Sequence, residues 1–159
     1  MTAIDFNLLR FLAIDDNALT RRVVRRLLRG FGVSEVYEAD DGAAGLEAFI
    51  HFMPDIVIAD WVMPNLDGLE LTRVIRQSGL NADPYVPIIM LSGYSEPARV
   101  AKALDAGVTQ FLTKPISVQA LYDAILTIVA NPVAFHRDRE LFRANPAEEQ
   151  LGGPHAAAA

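Results

Sequence analysis

The sequence predicts an α/β protein in which one parallel sheet carries helices on both faces. Three observations lead there. Five short, nearly continuous apolar runs recur between residues 11 and 113, the pattern of strands covered on both sides. Longer segments with apolar residues at spacings of three and four separate these runs, as amphipathic helices require. Five strands then alternate with five helices, and right-handed crossovers distribute the helices over both faces of a doubly wound sheet.

The first strand is Phe11-Leu12-Ala13-Ile14, ending at Asp15-Asp16. A helix follows on Leu19, Val23, Val24, Leu27, Leu28 and Phe31, with Asn17 as its cap and Gly30 and Gly32 as its stop. Residues 36–39 form a second, weaker strand, and residues 43–52 a second helix closed by Pro54. The third strand, Ile56-Val57-Ile58-Ala59, ends at Asp60. Asp67-Gly68 reads as turn chemistry, with Asp67 capping a third helix over 69–77 before Ser78-Gly79. The fourth strand, Ile88-Ile89-Met90-Leu91, ends at Ser92. The fourth helix spans 96–106, with Pro97 in its first turn and Gly107 after its last. The fifth strand, Gln110-Phe111-Leu112-Thr113, ends at Lys114. The fifth helix runs over 117–130, capped by Ser117 and stopped by Asn131-Pro132. Its core stripe is Leu121, Ile125, Ile128 and Val129, to which the fourth helix adds Val100 and Leu104.

These elements give one folded domain over 1–131. Residues 132–159 hold Pro132, Pro146, Gly152-Gly153, Pro154 and a closing alanine run, without a sustained apolar period. They read as a flexible or loosely packed tail with no output domain.

Composition bounds the function. The 159 residues are 52% apolar and 21% charged, ordinary values for a globular protein. Cysteine is absent, which excludes a disulfide scaffold and a thiolate metal site. No apolar run reaches the roughly 18 residues of a membrane span, and no signal-peptide pattern opens the chain. The expected location is the cytoplasm, with no membrane partner. A net charge of −6 disfavours nucleic acid as the main partner. Five arginines (Arg21, Arg22, Arg25, Arg26 and Arg29) nevertheless crowd the first helix, where they read as its outer face. His51, His136 and His155 lack ligand-like spacing.

Four strand ends carry reactive polar residues: Asp15-Asp16, Asp60, Ser92 and Lys114. Open α/β sheets bind ligands outside the carboxyl ends of their strands. Neighbouring strands lie roughly 4.8 Å apart, so the first and third strands, if adjacent, bring three carboxylates together. Two unit charges at roughly 4 Å interact by about 4 kcal/mol at an effective dielectric of about 20, so such a cluster needs compensation. Carboxylate and carbonyl oxygens suit Mg²⁺, and Lys114 adds a second cation. An acid cluster with a divalent ion, a lysine and a hydroxyl is equipped for phosphoryl transfer to a carboxylate.

These residues resemble the bacterial response-regulator receiver domain, of the chemotaxis-regulator kind. The resemblance covers residues 11–130. It rests on Asp15-Asp16, on Asp60-Trp61-Val62-Met63-Pro64-Asn65-Leu66-Asp67-Gly68, on Ser92-Gly93 and on Lys114-Pro115, in that order and at strand ends. It implies a flavodoxin-like sheet of order 2-1-3-4-5. It implies that Asp60 accepts a phosphoryl group from a histidine kinase or histidine phosphotransfer protein. Mg²⁺ is then held by Asp15, Asp16, Asp60 and the backbone carbonyl of Val62. Ser92, Gly93 and Lys114 bind the phosphoryl group, Phe111 is the switch aromatic, and the Lys114–Pro115 peptide bond is cis. Val62 and Tyr94 tune dephosphorylation. The face built from the fourth helix, fifth strand and fifth helix meets a downstream protein target or a second copy of the chain. The arginine-rich first helix becomes a kinase-docking surface.

Two rival functions share this fold. One is an interaction module that switches without phosphate, against which the intact acid cluster, Ser92 and Lys114 argue. The other is a phosphatase with an aspartate nucleophile. Such enzymes commonly need a second aspartate two residues on, where Val62 follows Asp60 and Asn17 follows Asp15. The expectation is therefore a regulator whose only chemistry is its own phosphorylation and dephosphorylation.

Overall fold

The computed structural model describes residues 4–77, 79–80 and 82–130. The tail expected to be loosely packed lies outside these residues, as do the Asn131-Pro132 stop and two of the histidines, His136 and His155. Five parallel strands form one sheet: β1 (Arg10–Ile14), β2 (Glu35–Ala39), β3 (Ile56–Asp60), β4 (Ile88–Ser92) and β5 (Gln110–Thr113). Their order is β2-β1-β3-β4-β5, as the resemblance implied. Five helices connect or follow them: α1 (Ala18–Gly30), α2 (Gly42–Phe52), α3 (Gly68–Arg76), α4 (Pro97–Ala106) and α5 (Val118–Val129). A 3-10 turn at Phe6–Leu8, not foreseen from the sequence, precedes them. Phe6 there packs beside Phe31 and Tyr122.

Strand side chains alternate between the two faces, so each strand feeds two cores. Phe11, Ala13, Ile56, Ile58, Ile89 and Leu91 meet α1 and α5 through Val24, Leu28, Leu121 and Ile125. Leu12, Ile14, Val57, Ala59 and Ile88 meet α2 and α3 through Phe49, Leu71 and Ile75. A smaller cluster under α4 joins Trp61, Leu69, Met90, Ala103 and Val108. No helix among the described residues is long and apolar enough to cross a membrane.

The helix ends follow local chemistry. Asn17 accepts hydrogen bonds from the amides of Leu19 and Thr20, and Ser117 accepts one from Ala120. Asp67 and Glu70 form a reciprocal capping box at α3. Asp41 caps α2, a role the sequence reading did not assign. Gly30 belongs to α1 and does not stop it; the left-handed residue after that helix is Gly32, at φ 107°. Left-handed Gly107, also at φ 107°, ends α4.

Two packing expectations need correction. Leu104 is 50% exposed and Val100 half-buried; the buried residue of α4 is Ala103. The apolar positions of α4 therefore face outward more than their spacing suggested. Nor do all five arginines line an outer face. Arg21 and Arg25 turn toward β2 and pair with Glu38 at 3.5 and 2.9 Å, which leaves Arg22, Arg26 and Arg29 exposed.

Candidate functional site

Strand register gathers the site. Ile14 pairs with Ala59, so Asp15 falls beside Asp60. Asp60 pairs with Leu91, one residue before Ser92. Ser92 pairs with Thr113, one residue before Lys114. The Lys114 amide then donates to the Ser92 carbonyl at 2.8 Å, fixing the fifth strand's end to the fourth's.

The side chains converge accordingly. Carboxylate oxygens of Asp15, Asp16 and Asp60 lie within 4.8 Å of one another. Asp15 and Asp60 are buried, whereas Asp16 is exposed. Lys114 Nζ donates to Asp15 at 3.0 Å and reaches Asp60 at 3.2 Å. The other Asp15 oxygen accepts the Asn17 amide at 2.8 Å, which orients it. Burial, and then the neighbouring Asp15 carboxylate, raise the Asp60 carboxyl above its ordinary value against the pull of Lys114. Burial alone would lower the Lys114 ammonium, but hydrogen bonding and charge from Asp15 and Asp60 outweigh it and raise the group. Three carboxylates thus face one ammonium in a partly desolvated pocket. This donor set fits a hard divalent cation that keeps some of its water, as Mg²⁺ does.

The remaining predicted residues surround this cluster. The Ser92 side chain is buried, and its Oγ accepts the Tyr94 amide at 3.1 Å. Gly93 and Tyr94 are exposed in the loop after β4. Val62, two residues past Asp60, is 58% exposed, and its side chain brings no polar group to the pocket. Half-buried Phe111 meets Trp61 edge-on at a centroid distance of 6.3 Å. The Lys114–Pro115 bond is cis.

Three residues to which the sequence reading gave no role at the site shape it. Gly68 lies so close to the Asp60 carbonyl that an added Cβ would collide with it, and its amide donates to the Trp61 carbonyl at 2.8 Å. The turn from β3 into α3 therefore needs glycine for room, beyond its turn propensity. Trp61, 6% exposed, packs under α4. Arg99 reaches over Trp61 and Tyr94. An arginine on a helix carries no sequence signal for such a contact, and neither does the crowding at Gly68.

Comparison with known proteins gives one consistent answer. The response regulator receiver domain profile matches residues 11–126. The chemotaxis protein CheY of Pseudomonas aeruginosa is 30% identical over 117 residues, covering 74% of this chain and 93% of that protein. CheY-3 of Vibrio cholerae is also 30% identical, over 74% of this chain and 88% of its own length. Among solved structures, a response regulator receiver domain protein from Clostridium thermocellum superposes with a TM-score of 0.69 at 29% identity, covering 84% of this chain and 99% of that one. The signal receiver domain of a NarL response regulator from Mycobacterium tuberculosis superposes at 0.66 with 36% identity, over 75% and 94% of the two chains.

Proposed function

We propose the role of Asp60 from the family to which this chain belongs, the response regulator receiver domain family: its carboxylate accepts a phosphoryl group from a histidine kinase or histidine phosphotransfer protein. An Asp60 oxygen attacks phosphorus, the bond from phosphorus to the donor imidazole breaks, and an acyl phosphate forms. The observation that carries this reading is the Lys114 ammonium, 3.0 Å from Asp15 and 3.2 Å from Asp60 inside the three-acid cluster. In this reading Lys114 pairs with a phosphoryl oxygen, and the Ser92 hydroxyl, with the Gly93 backbone beside it, meets another. Mg²⁺ bound by Asp15, Asp16, Asp60 and the Val62 carbonyl would supply the charge that neutralises the incoming phosphoryl oxygens.

The proposed readout is a change in packing. Phosphorylation draws Ser92 toward the new oxygens, Phe111 follows into the space vacated, and the surface of α4, β5 and α5 changes shape. A downstream protein, a second copy of the chain or the next member of a relay reads that surface. The donor docks beside exposed Arg22 and Arg26 on α1, where Leu19 and Val23 with Pro115 and Ile116 line an apolar groove. The proposed setting is the cytoplasm, with no catalysis beyond the chain's own phosphorylation and dephosphorylation.

Incubation with Mg²⁺ and acetyl phosphate, followed by intact-mass measurement, tests the reading. The expected result is a gain of one phosphoryl group that chelation or Asp60→Ala abolishes. No gain with several small donors would favour a module that switches without phosphate. Sustained turnover of many phosphate esters would favour a phosphatase.

A further inference from the structure

Arg99 sits in the first turn of α4 and has no part in the chemistry above. Its guanidinium carbon lies 4.5 Å from the Trp61 ring centroid and 5.1 Å from that of Tyr94. Trp61 directly follows Asp60, and Tyr94 stands two residues past Ser92. One cation therefore joins the loop after β3, the loop after β4 and the start of α4. Its Nε is buried without a hydrogen-bond partner, whereas buried donors are usually paired. The ring faces, not a hydrogen bond to Nε, account for where this group rests.

The held loop is the one that must move. The Tyr94 amide donates to Ser92 Oγ at 3.1 Å. A Ser92 hydroxyl that turns to a phosphoryl oxygen gives up this amide and frees the loop to rearrange. We propose that Arg99 is a positioning residue that holds the loop after β4 in its unphosphorylated arrangement, so that phosphorylation of Asp60 works against the Trp61–Arg99–Tyr94 bridge. The proposal rests on Asp60 being the phosphoryl acceptor. A contact made in only one of two states lowers the population of the other by the same factor. Loss of the bridge should raise the phosphorylation-competent population about three- to tenfold.

Arg99→Met and Arg99→Lys in the full chain separate charge from stem packing. With neither metal nor donor present, amide hydrogen exchange at Tyr94 should quicken several-fold in Arg99→Met, stay near wild type in Arg99→Lys, and leave α5 unaffected. With Mg²⁺ and limiting acetyl phosphate, the initial rate of phosphoryl uptake should rise about threefold or more in Arg99→Met, with Arg99→Lys between. Unchanged exchange at Tyr94, an unchanged uptake rate, or a lysine variant as altered as the methionine one would overturn the proposal. A wild-type chain that takes up no phosphoryl group would remove the Asp60 reading and the coupling with it. Exchange at Tyr94, which needs no phosphate, would then report the loop on its own.

Discussion

Helices α4 and α5 belong to the same candidate output surface but are held by different means. α5 buries Leu121, Ala124, Ile125 and Ile128, with Leu121 and Ile125 fully inaccessible. Among the described residues α4 buries Ala103 alone and leaves Leu104 half exposed. Ala106 also packs, partly buried, against the cluster beneath the helix, and two arginines hold the helix near its ends. Arg76 of α3 donates twice to the carbonyl of Gly107, at 3.0 and 2.7 Å, just past the end of α4. Arg99 lies over two rings near the start. Fully burying a large aliphatic side chain contributes about 1.5–3 kcal/mol, and an alanine offers far less area. α5 is therefore part of the core, whereas α4 is tethered by a few specific contacts. Elements that move are drawn from the weakly held parts of a fold. In the proposed function, this difference makes α4 and the loop before it the moving part, with α5 as its fixed reference.

Truncation at matched positions tests this difference between α4 and α5. Ile125→Ala should cost about 2–5 kcal/mol by urea unfolding, while Leu104→Ala should stay within about 0.5 kcal/mol. Similar losses at the two sites would show that α4 is anchored as firmly as α5.

Arg76→Met removes the polar tether at the end of α4. Burial lowers the Arg76 guanidinium to about 10, against the opposing charge of Asp83, so it stays charged at neutral pH. Besides Gly107 it donates to the carbonyls of Pro84 and Val86, at 2.8 and 2.6 Å. Its removal leaves these acceptors unpaired and should cost about 1–3 kcal/mol. Hydrogen exchange should rise at the α4 end and not in α5. Uniform loosening across both helices would show that Arg76 supports the whole domain and not this tether.

The smallest expected effect is kinetic. Val62→Asn puts a hydrogen-bonding side chain beside the pocket, at an exposed position where packing changes little. It should shorten the phosphoryl lifetime about threefold, under about 1 kcal/mol of barrier, with the unfolding midpoint unchanged. An unaltered lifetime would remove Val62 from the tuning of dephosphorylation.

Much of this molecule could be read from residue order. The strand runs ending at Asp15-Asp16, Asp60, Ser92 and Lys114 located both sheet and site, because apolar continuity and a polar stop are local signals. Asn17, Asp67 and Ser117 were legible as caps for the same reason. The tethers of α4 were not. Arg76 binds backbone carbonyls, which have no residue identity, and Arg99 meets rings brought near only by the tertiary fold. Leu104 misled because helical spacing gives a stripe without saying how far it is covered. The closeness of Gly68 to the Asp60 carbonyl depends on the path from β3 into α3, which its sequence neighbours do not encode.

The central claim is that phosphate resides on Asp60, and chemical trapping tests it most directly. Borohydride reduces an aspartyl phosphate to homoserine, which tandem mass spectrometry locates in the chain. After incubation with Mg²⁺ and acetyl phosphate, homoserine should stand at position 60 and nowhere else. Homoserine at Asp15 or Asp16, or a phosphoryl group that survives reduction on another residue, would contradict the account.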